Sequence, residues 1–150
     1  RVRELFFKLS KKLEISEIPP IGAMIETPAA ALALEDFLNC CDFFSIGTND
    51  LTQYTMAAGR ENLLVSEYFD QKHKAVFKLL KICVSSAAAG RISICGELAE
   101  DFEALEVLLK LGFRKLSVPP GRIPTLKERI RSLRLPSLAS SSKCCYHSDS

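Results

Sequence analysis

Short apolar runs alternate with longer amphipathic stretches along this chain. Four runs, at residues 21–25, 42–47, 92–95 and 114–118, are each followed by polar residues, glycine or proline. Apolar runs of this length between turn-forming residues are typical of buried β-strands. The pattern therefore predicts four strands.

The stretches around these runs predict helices. Residues 1–14 carry apolar side chains at near-helical spacing, and Thr27-Pro28 supplies a capping hydroxyl and a first-turn proline for a helix that runs to about residue 39. Another helix should open at Leu51. Further helices are predicted over residues 75–89, 102–111 and 124–133, with Gly90 and Gly112 as the stops of the first two.

Strand and helix thus alternate four times with short connections, which predicts an α/β fold with a parallel sheet. Residues 136–150 lack periodicity and apolar mass, and we expect them to be a disordered tail. The adjacent Cys144 and Cys145 in that tail are too few for a specific tetrahedral metal site.

Charge and cysteine content narrow the class of protein. Among 150 residues, 20 Lys and Arg nearly balance 18 Asp and Glu, so the net charge of +2 does not favour a nucleic-acid or membrane surface. There is no apolar run of membrane-spanning length, and residues 1–4 do not lead into a signal peptide. Six cysteines without a CxxC pair favour reduced thiols. We expect a cytoplasmic protein.

Polar side chains stand at the carboxyl ends of three predicted strands. Glu26 follows the first, Asn49 and Asp50 follow the second, and Cys95 ends the third. In parallel α/β sheets those ends share one edge, which carries ligand sites. Local roles stay open: Glu26 can favour a helix N-terminus, Asn49 or Asp50 can cap the helix at Leu51, and Cys95 can be a small buried hydrophobe.

A phosphate site with a metal would suit these residue types. Mg²⁺ prefers one or two carboxylates completed by substrate oxygens and water. Arg60, in the polar loop after Asp50, can grip a phosphoryl group bidentately, although a surface arginine is the simpler interpretation.

Three blocks carry a family resemblance: MIETPAAA at residues 24–31, DFFSIGTNDLTQYT at 42–55 and CGELA at 95–99. They resemble the phosphoenolpyruvate-utilising enzymes, and most closely the phosphoenolpyruvate–protein phosphotransferases, enzyme I of the bacterial sugar phosphotransferase system. The resemblance runs from about Ile21 to Leu133. Pyruvate phosphate dikinases and phosphoenolpyruvate synthases share the Glu, Asn-Asp and Cys-Gly-Glu positions.

The resemblance implies a fold and a domain boundary. The family's phosphoenolpyruvate-binding domain is a (β/α)8 barrel with its site at the C-terminal mouth. Residues 1–135 would then be the C-terminal half of such a barrel, about four βα units, followed by the tail at 136–150. A whole barrel takes about 250 residues, so we expect the chain to be part of a larger unit.

The resemblance also implies roles for individual residues. Glu26 and Asp50 would bind Mg²⁺, Asn49 and Arg60 would contact the phosphoryl group of phosphoenolpyruvate, and Cys95 would protonate the enolate carbon as pyruvate forms. His73 would remain a surface residue.

Partners follow from the same resemblance. The phosphorylated histidine and the docking surface for a histidine-containing phosphocarrier protein lie in an upstream domain of the family, and the full-length enzyme is a homodimer. Residues of that upstream domain have no match here, so we expect no turnover by this chain alone. Two alternatives stay open: a fragment of a dikinase or synthase relative, and a non-catalytic remnant or dimerisation module.

Overall fold

A computed structural model of the chain describes residues 1–134, in which helices and strands alternate around a small sheet. Three strands pair in parallel in the order β1-β2-β3. The prediction of an α/β fold with a parallel sheet is confirmed, and the tail predicted at 136–150 lies outside the described residues. The strands are β1 (Gly22–Ile25), β2 (Phe43–Gly47) and β3 (Ile92–Cys95); the helices are α1 (Val2–Lys12), α2 (Pro28–Leu32), α3 (Thr48–Met56), α4 (Lys74–Ser85), α5 (Phe102–Leu111) and α6 (Ile123–Ser132).

One face of the sheet forms the centre of the core. Ile25, Ile46 and Ile94 lie side by side in register across the three strands, and all three are buried. They belong to the same apolar cluster as Val76 and Leu80 of α4. Because full burial of such a side chain contributes about 1.5–3 kcal/mol, this face fixes the sheet against the helices.

The opposite face carries smaller and more polar side chains. Met24, Ser45 and Ser93 align across the strands one position before the isoleucines, and Cys95 pairs with Gly47 one position after them. Since side chains alternate along a strand, Cys95 shares a face with Met24, Ser45 and Ser93. The sheet therefore separates an apolar core from a polar face that ends at Cys95.

The prediction of a fourth strand at residues 114–118 is wrong. Ile94 donates its N–H to the carbonyl of Lys115 at 3.0 Å and accepts from the N–H of Ser117 at 2.8 Å. These bonds make one isolated parallel bridge between Ile94 and Leu116. The segment therefore lies beside β3 without forming a continuous ladder.

Two predicted helices end earlier than expected. The helix from Pro28 ends at Leu32, and a 3-10 helix, Leu34–Phe37, replaces its second half. The helix predicted to reach residue 89 ends at Ser85 because the hydroxyl of Ser86 donates to the carbonyl of Cys83 at 2.7 Å and accepts from the next turn. Gly90 is therefore part of a separate 3-10 turn rather than the stop of α4.

Two of the other predicted elements have the observed bounds, namely β3 and α5. The side chain of Asp101 caps the N-terminus of α5, and Gly112 ends that helix in the left-handed conformation. Across residues 1–134, no helix combines the length and apolar character that a membrane span requires.

Candidate active site

The side chains singled out at the strand ends lie along one edge of the sheet. Glu26 follows β1 directly, Asn49 and Asp50 follow β2, and Cys95 is the last residue of β3. Because the three strands are parallel neighbours, their carboxyl ends meet at this edge. The 3-10 helix Glu97–Ala99 follows β3 and adds Glu97 to the same edge.

The segment from Thr48 to Asp50 is the first turn of α3, not a turn before it as predicted. The N-cap is Gly47, and no side chain caps this helix, so Asn49 and Asp50 do not act as helix caps. Thr48 is buried and donates from Oγ1 to the carbonyl of Cys95 at 2.8 Å. This bond ties the start of α3 to the end of β3.

Asn49 and Glu97 form a reciprocal pair across the two loops. The backbone N–H of Glu97 donates to Oδ1 of Asn49 at 3.0 Å, and Nδ2 of Asn49 donates to Oε1 of Glu97 at 3.3 Å. Both polar groups of the Asn49 amide are therefore oriented by one residue. These two bonds fix the side chain of Asn49 at the strand-end edge.

Arg60 reaches the same carboxylate from the loop after α3. Its NH1 group donates to Oε1 of Glu97, and Nε2 of Gln71 donates to Oε2 at 3.1 Å. Asn49 and Arg60, both predicted phosphate ligands, thus converge on Glu97. Glu97 was not among the site residues predicted from the sequence, although its position two residues after a strand-end cysteine could have indicated it.

Gly96 is required where the chain turns from β3 into the site. Its φ of +95° with ψ near −179° lies in a region that side chains avoid, and an added Cβ would lie 2.4 Å from Oγ1 of Thr48 and 2.8 Å from Oδ1 of Asn49. The absence of a side chain lets the loop approach α3 closely enough for Glu97 to bond Asn49.

Cys95 is half-buried on the polar face of the sheet. Oγ of Ser45 donates to its Sγ at 3.4 Å, and Sγ lies 3.3 Å from the carbonyl oxygen of Ile46 and 3.8 Å from Sδ of Met24. The thiol therefore has a hydrogen-bond donor and acceptors around it, which a purely apolar packing role would not need.

Glu26 and Asp50 fit the carboxylate part of a Mg²⁺ site. Neither joins an ion pair among the described residues, so their oxygens remain available. At Gly47 a Cβ would lie 3.2 Å from Oε2 of Glu26, so glycine leaves room beside this carboxylate. Within residues 1–134 no three His, Cys, Asp or Glu side chains could hold a metal ion by themselves, and Mg²⁺ would need substrate oxygens or water as further ligands.

His73 has a structural role at the start of α4. Its Nδ1 accepts the backbone N–H of Ala75 at 3.2 Å, which makes it the N-cap of that helix.

Nearly the whole described chain is similar to one known protein family. The family described as "PEP-utilising enzyme, PEP-binding domain" matches residues 2–135. The chain belongs to this family. The resemblance of its three sequence blocks to the phosphoenolpyruvate-utilising enzymes is thereby confirmed.

Curated proteins of several organisms are similar to this PEP-binding domain. It is 40% identical over 134 residues to a phosphoenolpyruvate-protein phosphotransferase of Haloferax volcanii, covering 85% of the chain and 24% of the relative. It is 44% identical over 131 residues to the protein of that name in Buchnera aphidicola subsp. Acyrthosiphon pisum, covering 83% and 23%. A probable phosphoenolpyruvate synthase of Methanocaldococcus jannaschii is 39% identical over 130 residues, covering 85% and 11%. The chain spans about a quarter or less of the length of these relatives.

Proposed function

We propose that this chain carries the Mg²⁺-dependent phosphoenolpyruvate site of a phosphoenolpyruvate–protein phosphotransferase and forms the C-terminal half of a (β/α)8 barrel. The observation that carries the proposal is the convergence of Asn49 and Arg60 on Glu97, at the edge of the sheet where β3 ends in Cys95. The names of the relatives support the reaction class.

Asn49 and Arg60 bind the phosphoryl group in this proposal. A guanidinium has five N–H donors and an amide has two, and each side chain uses one of them on Glu97. The remaining donors are available to phosphoryl oxygens. Such positioned donors suit phosphoryl transfer, in which the protein mainly orients the group and neutralises its charge.

Glu26 and Asp50 would hold Mg²⁺. When bound, the ion would supply positive charge to the phosphate and carboxylate oxygens of phosphoenolpyruvate. The free carboxylates and the space that Gly47 leaves beside Glu26 support this assignment.

Cys95 supplies a proton in the second half of the reaction. The bond between phosphorus and the enol oxygen breaks as a histidine nitrogen of the acceptor protein bonds to phosphorus, and an enolate remains. The terminal carbon of the enolate takes the proton from the Cys95 thiol, which yields pyruvate and a thiolate. The hydroxyl of Ser45, 3.4 Å from Sγ, can donate to that thiolate.

The acceptor histidine, the histidine-containing phosphocarrier protein and the homodimer of the full-length enzyme are part of the same proposal, and so is a cytoplasmic location. Because the acceptor histidine would lie outside this chain, we expect phosphoenolpyruvate binding but no turnover by the chain alone.

Calorimetric titration of the full chain with phosphoenolpyruvate, with and without MgCl₂, tests the proposal. We expect binding that depends on Mg²⁺ and weakens about tenfold or more in Arg60→Gln. Arg3→Gln is the matched control because Arg3 also pairs with one carboxylate, that of Asp42, which precedes β2 and so lies at the opposite end of the strands from the site. No binding by the wild-type chain with Mg²⁺, or equal weakening in both variants, would overturn the proposal.

A second function is favoured by the match to a probable phosphoenolpyruvate synthase. The two functions differ in the domain that delivers or accepts the phosphoryl group. A nucleotide-binding domain encoded in the same gene would favour the synthase or a dikinase, and a phosphocarrier-docking domain would favour the phosphotransferase.

A further inference from the structure

We infer that Glu97 is a positioning residue that holds Asn49 and Arg60 in the orientation that binds a phosphoryl group. The inference rests on the proposed function, because it concerns the two side chains assigned there to the phosphoryl oxygens. Nothing in the family resemblance assigned a role to this carboxylate.

Glu97 contacts both phosphate ligands through one oxygen atom. Oε1 accepts from Nδ2 of Asn49 and from NH1 of Arg60, and the backbone N–H of Glu97 returns a bond to Oδ1 of Asn49. Arg60 lies in an exposed loop and has a long side chain that would otherwise sample many rotamers. The contact selects one arrangement of the pair before any ligand binds.

The contact orients the two side chains without consuming their capacity to bind. Only one N–H of the Arg60 guanidinium and one of the Asn49 amide donate to Glu97. The other donors of both groups are not used by this carboxylate. A phosphoryl group can therefore be bound while the contacts to Glu97 persist.

Glu97 is itself held on both sides. Its second oxygen, Oε2, accepts from Nε2 of Gln71 at 3.1 Å, and its backbone is placed by the glycine conformation at Gly96. A carboxylate fixed at both oxygens and at its backbone can act as a template for its neighbours.

Repulsion between Glu97 and a bound phosphate is the competing effect. The side chain of Glu97 is 58% exposed, so water screens its charge. We therefore expect the ordering of two ligands to outweigh the repulsion. The two effects predict opposite results when the carboxylate is changed.

The first test compares phosphoenolpyruvate affinity in MgCl₂ among the wild-type chain, Glu97→Ala and Glu97→Gln. Loss of order at two side chains should weaken binding about tenfold in Glu97→Ala. Glu97→Gln retains an acceptor oxygen and should stay within about threefold of the wild-type chain. The control is Glu103→Ala, which removes an exposed carboxylate that pairs with Lys72 instead. Unchanged affinity in Glu97→Ala, or tighter binding in both Glu97 variants, would overturn the inference.

The second test needs no ligand and separates this inference from the proposed function. In ¹⁵N spectra of the full chain, the Asn49 amide and Arg60 guanidinium resonances should move towards free-side-chain positions in Glu97→Ala and remain near wild type in Glu97→Gln. Resonances that do not move in Glu97→Ala would contradict positioning, whatever the affinity. If they move but the wild-type chain binds no phosphoenolpyruvate, the proposed function fails, and of the inference only the ordering of Asn49 and Arg60 by Glu97 stands. Thermal unfolding of each variant, with midpoints near wild type, shows that a folded protein is being compared.

Discussion

Replacing Gly96 with alanine should destabilise the protein through a clash that the structure locates. The residue joins β3 to the loop of Glu97 at a φ of +95°, and an added Cβ would lie 2.4 Å from Oγ1 of Thr48. Thr48 is fully buried and its hydroxyl is bonded to the carbonyl of Cys95, so it has little freedom to move. Either the loop or the start of α3 must shift.

The expected magnitude follows from two contributions. Holding a residue other than glycine in this backbone region costs about 1–3 kcal/mol. Breaking the bond from Thr48 to Cys95 adds about 0.5–1.5 kcal/mol. We therefore expect Gly96→Ala to lower the free energy of unfolding by roughly 2–4 kcal/mol, which for a chain of this size lowers the midpoint of thermal unfolding by about 4–16 °C.

Urea unfolding followed by far-ultraviolet circular dichroism is the suitable assay, because the chain has no tryptophan. Gly90→Ala is the matched control, since an added Cβ at Gly90 has no heavy atom within 4 Å. The control should leave stability unchanged or raise it slightly. Equal free energies of unfolding for the two variants would refute the claim that close approach at Gly96 fixes the loop.

Three further predictions concern a helix cap, a buried thiol and the core. Asp101→Ala removes the side chain that caps α5 and should cost about 1 kcal/mol near pH 7. Burial raises the pKa of the Asp101 carboxyl, but the hydrogen bonds that the carboxylate accepts outweigh burial and hold the pKa below the ordinary 3.8. The ionised carboxylate therefore stabilises the folded protein above pH 3.8, and this stabilisation is lost as the pH falls through the lowered pKa. The difference in free energy of unfolding between Asp101→Ala and wild type, measured in urea, should shrink over that range. Burial raises the pKa of Cys83 to about 11, so iodoacetamide at pH 8 should label exposed Cys40 and spare Cys83 in the folded protein, as peptide mass spectrometry would show. Phe44→Ala should cost about 3–5 kcal/mol in urea unfolding and Phe43→Ala much less, because Phe44 is fully buried and its neighbour is 42% exposed; similar losses would contradict the core assignment.

Elements with strong local sequence patterns were predicted to the residue. The helix α5 begins after the capping Asp101 and ends at Gly112, and both features depend only on neighbours within one turn. Likewise β3 is bounded by Arg91 and Gly96. Local chemistry is sufficient at these places because it determines both ends of the element.

Predictions that depend on distant partners were less accurate. Whether residues 114–118 form a strand depends on how many backbone groups of β3 they reach, and only the bridge from Ile94 to Leu116 forms. The early end of α4 was missed although its cause is local, since the hydroxyl of Ser86 competes for the carbonyl of Cys83 three residues earlier. The composition and periodicity of the sequence do not determine how many backbone bonds form beside β3 or which hydroxyl competes for a helix carbonyl.

In the candidate site, too, the positions of residues along the chain were predicted and the contacts between distant side chains were not. The order of strands and polar residues was enough to predict that Glu26, Asn49 and Cys95 lie at strand ends. The central place of Glu97 was missed because it results from side chains that converge from segments far apart in the sequence. Motif spacing alone does not show which carboxylate the others share.

The two bonds that join the start of α3 to the end of β3 have an evolutionary consequence. Thr48 bonds Cys95 and Asn49 bonds Glu97, across 47 and 48 positions of sequence. The acceptor at Cys95 and the donor at Glu97 are backbone groups, so only a change in the side chain of Thr48 or Asn49 removes these bonds. The constraint therefore falls on one side: exchanging the start of α3 between relatives should succeed where positions 48 and 49 keep a hydroxyl donor and an amide acceptor, and fail where they do not.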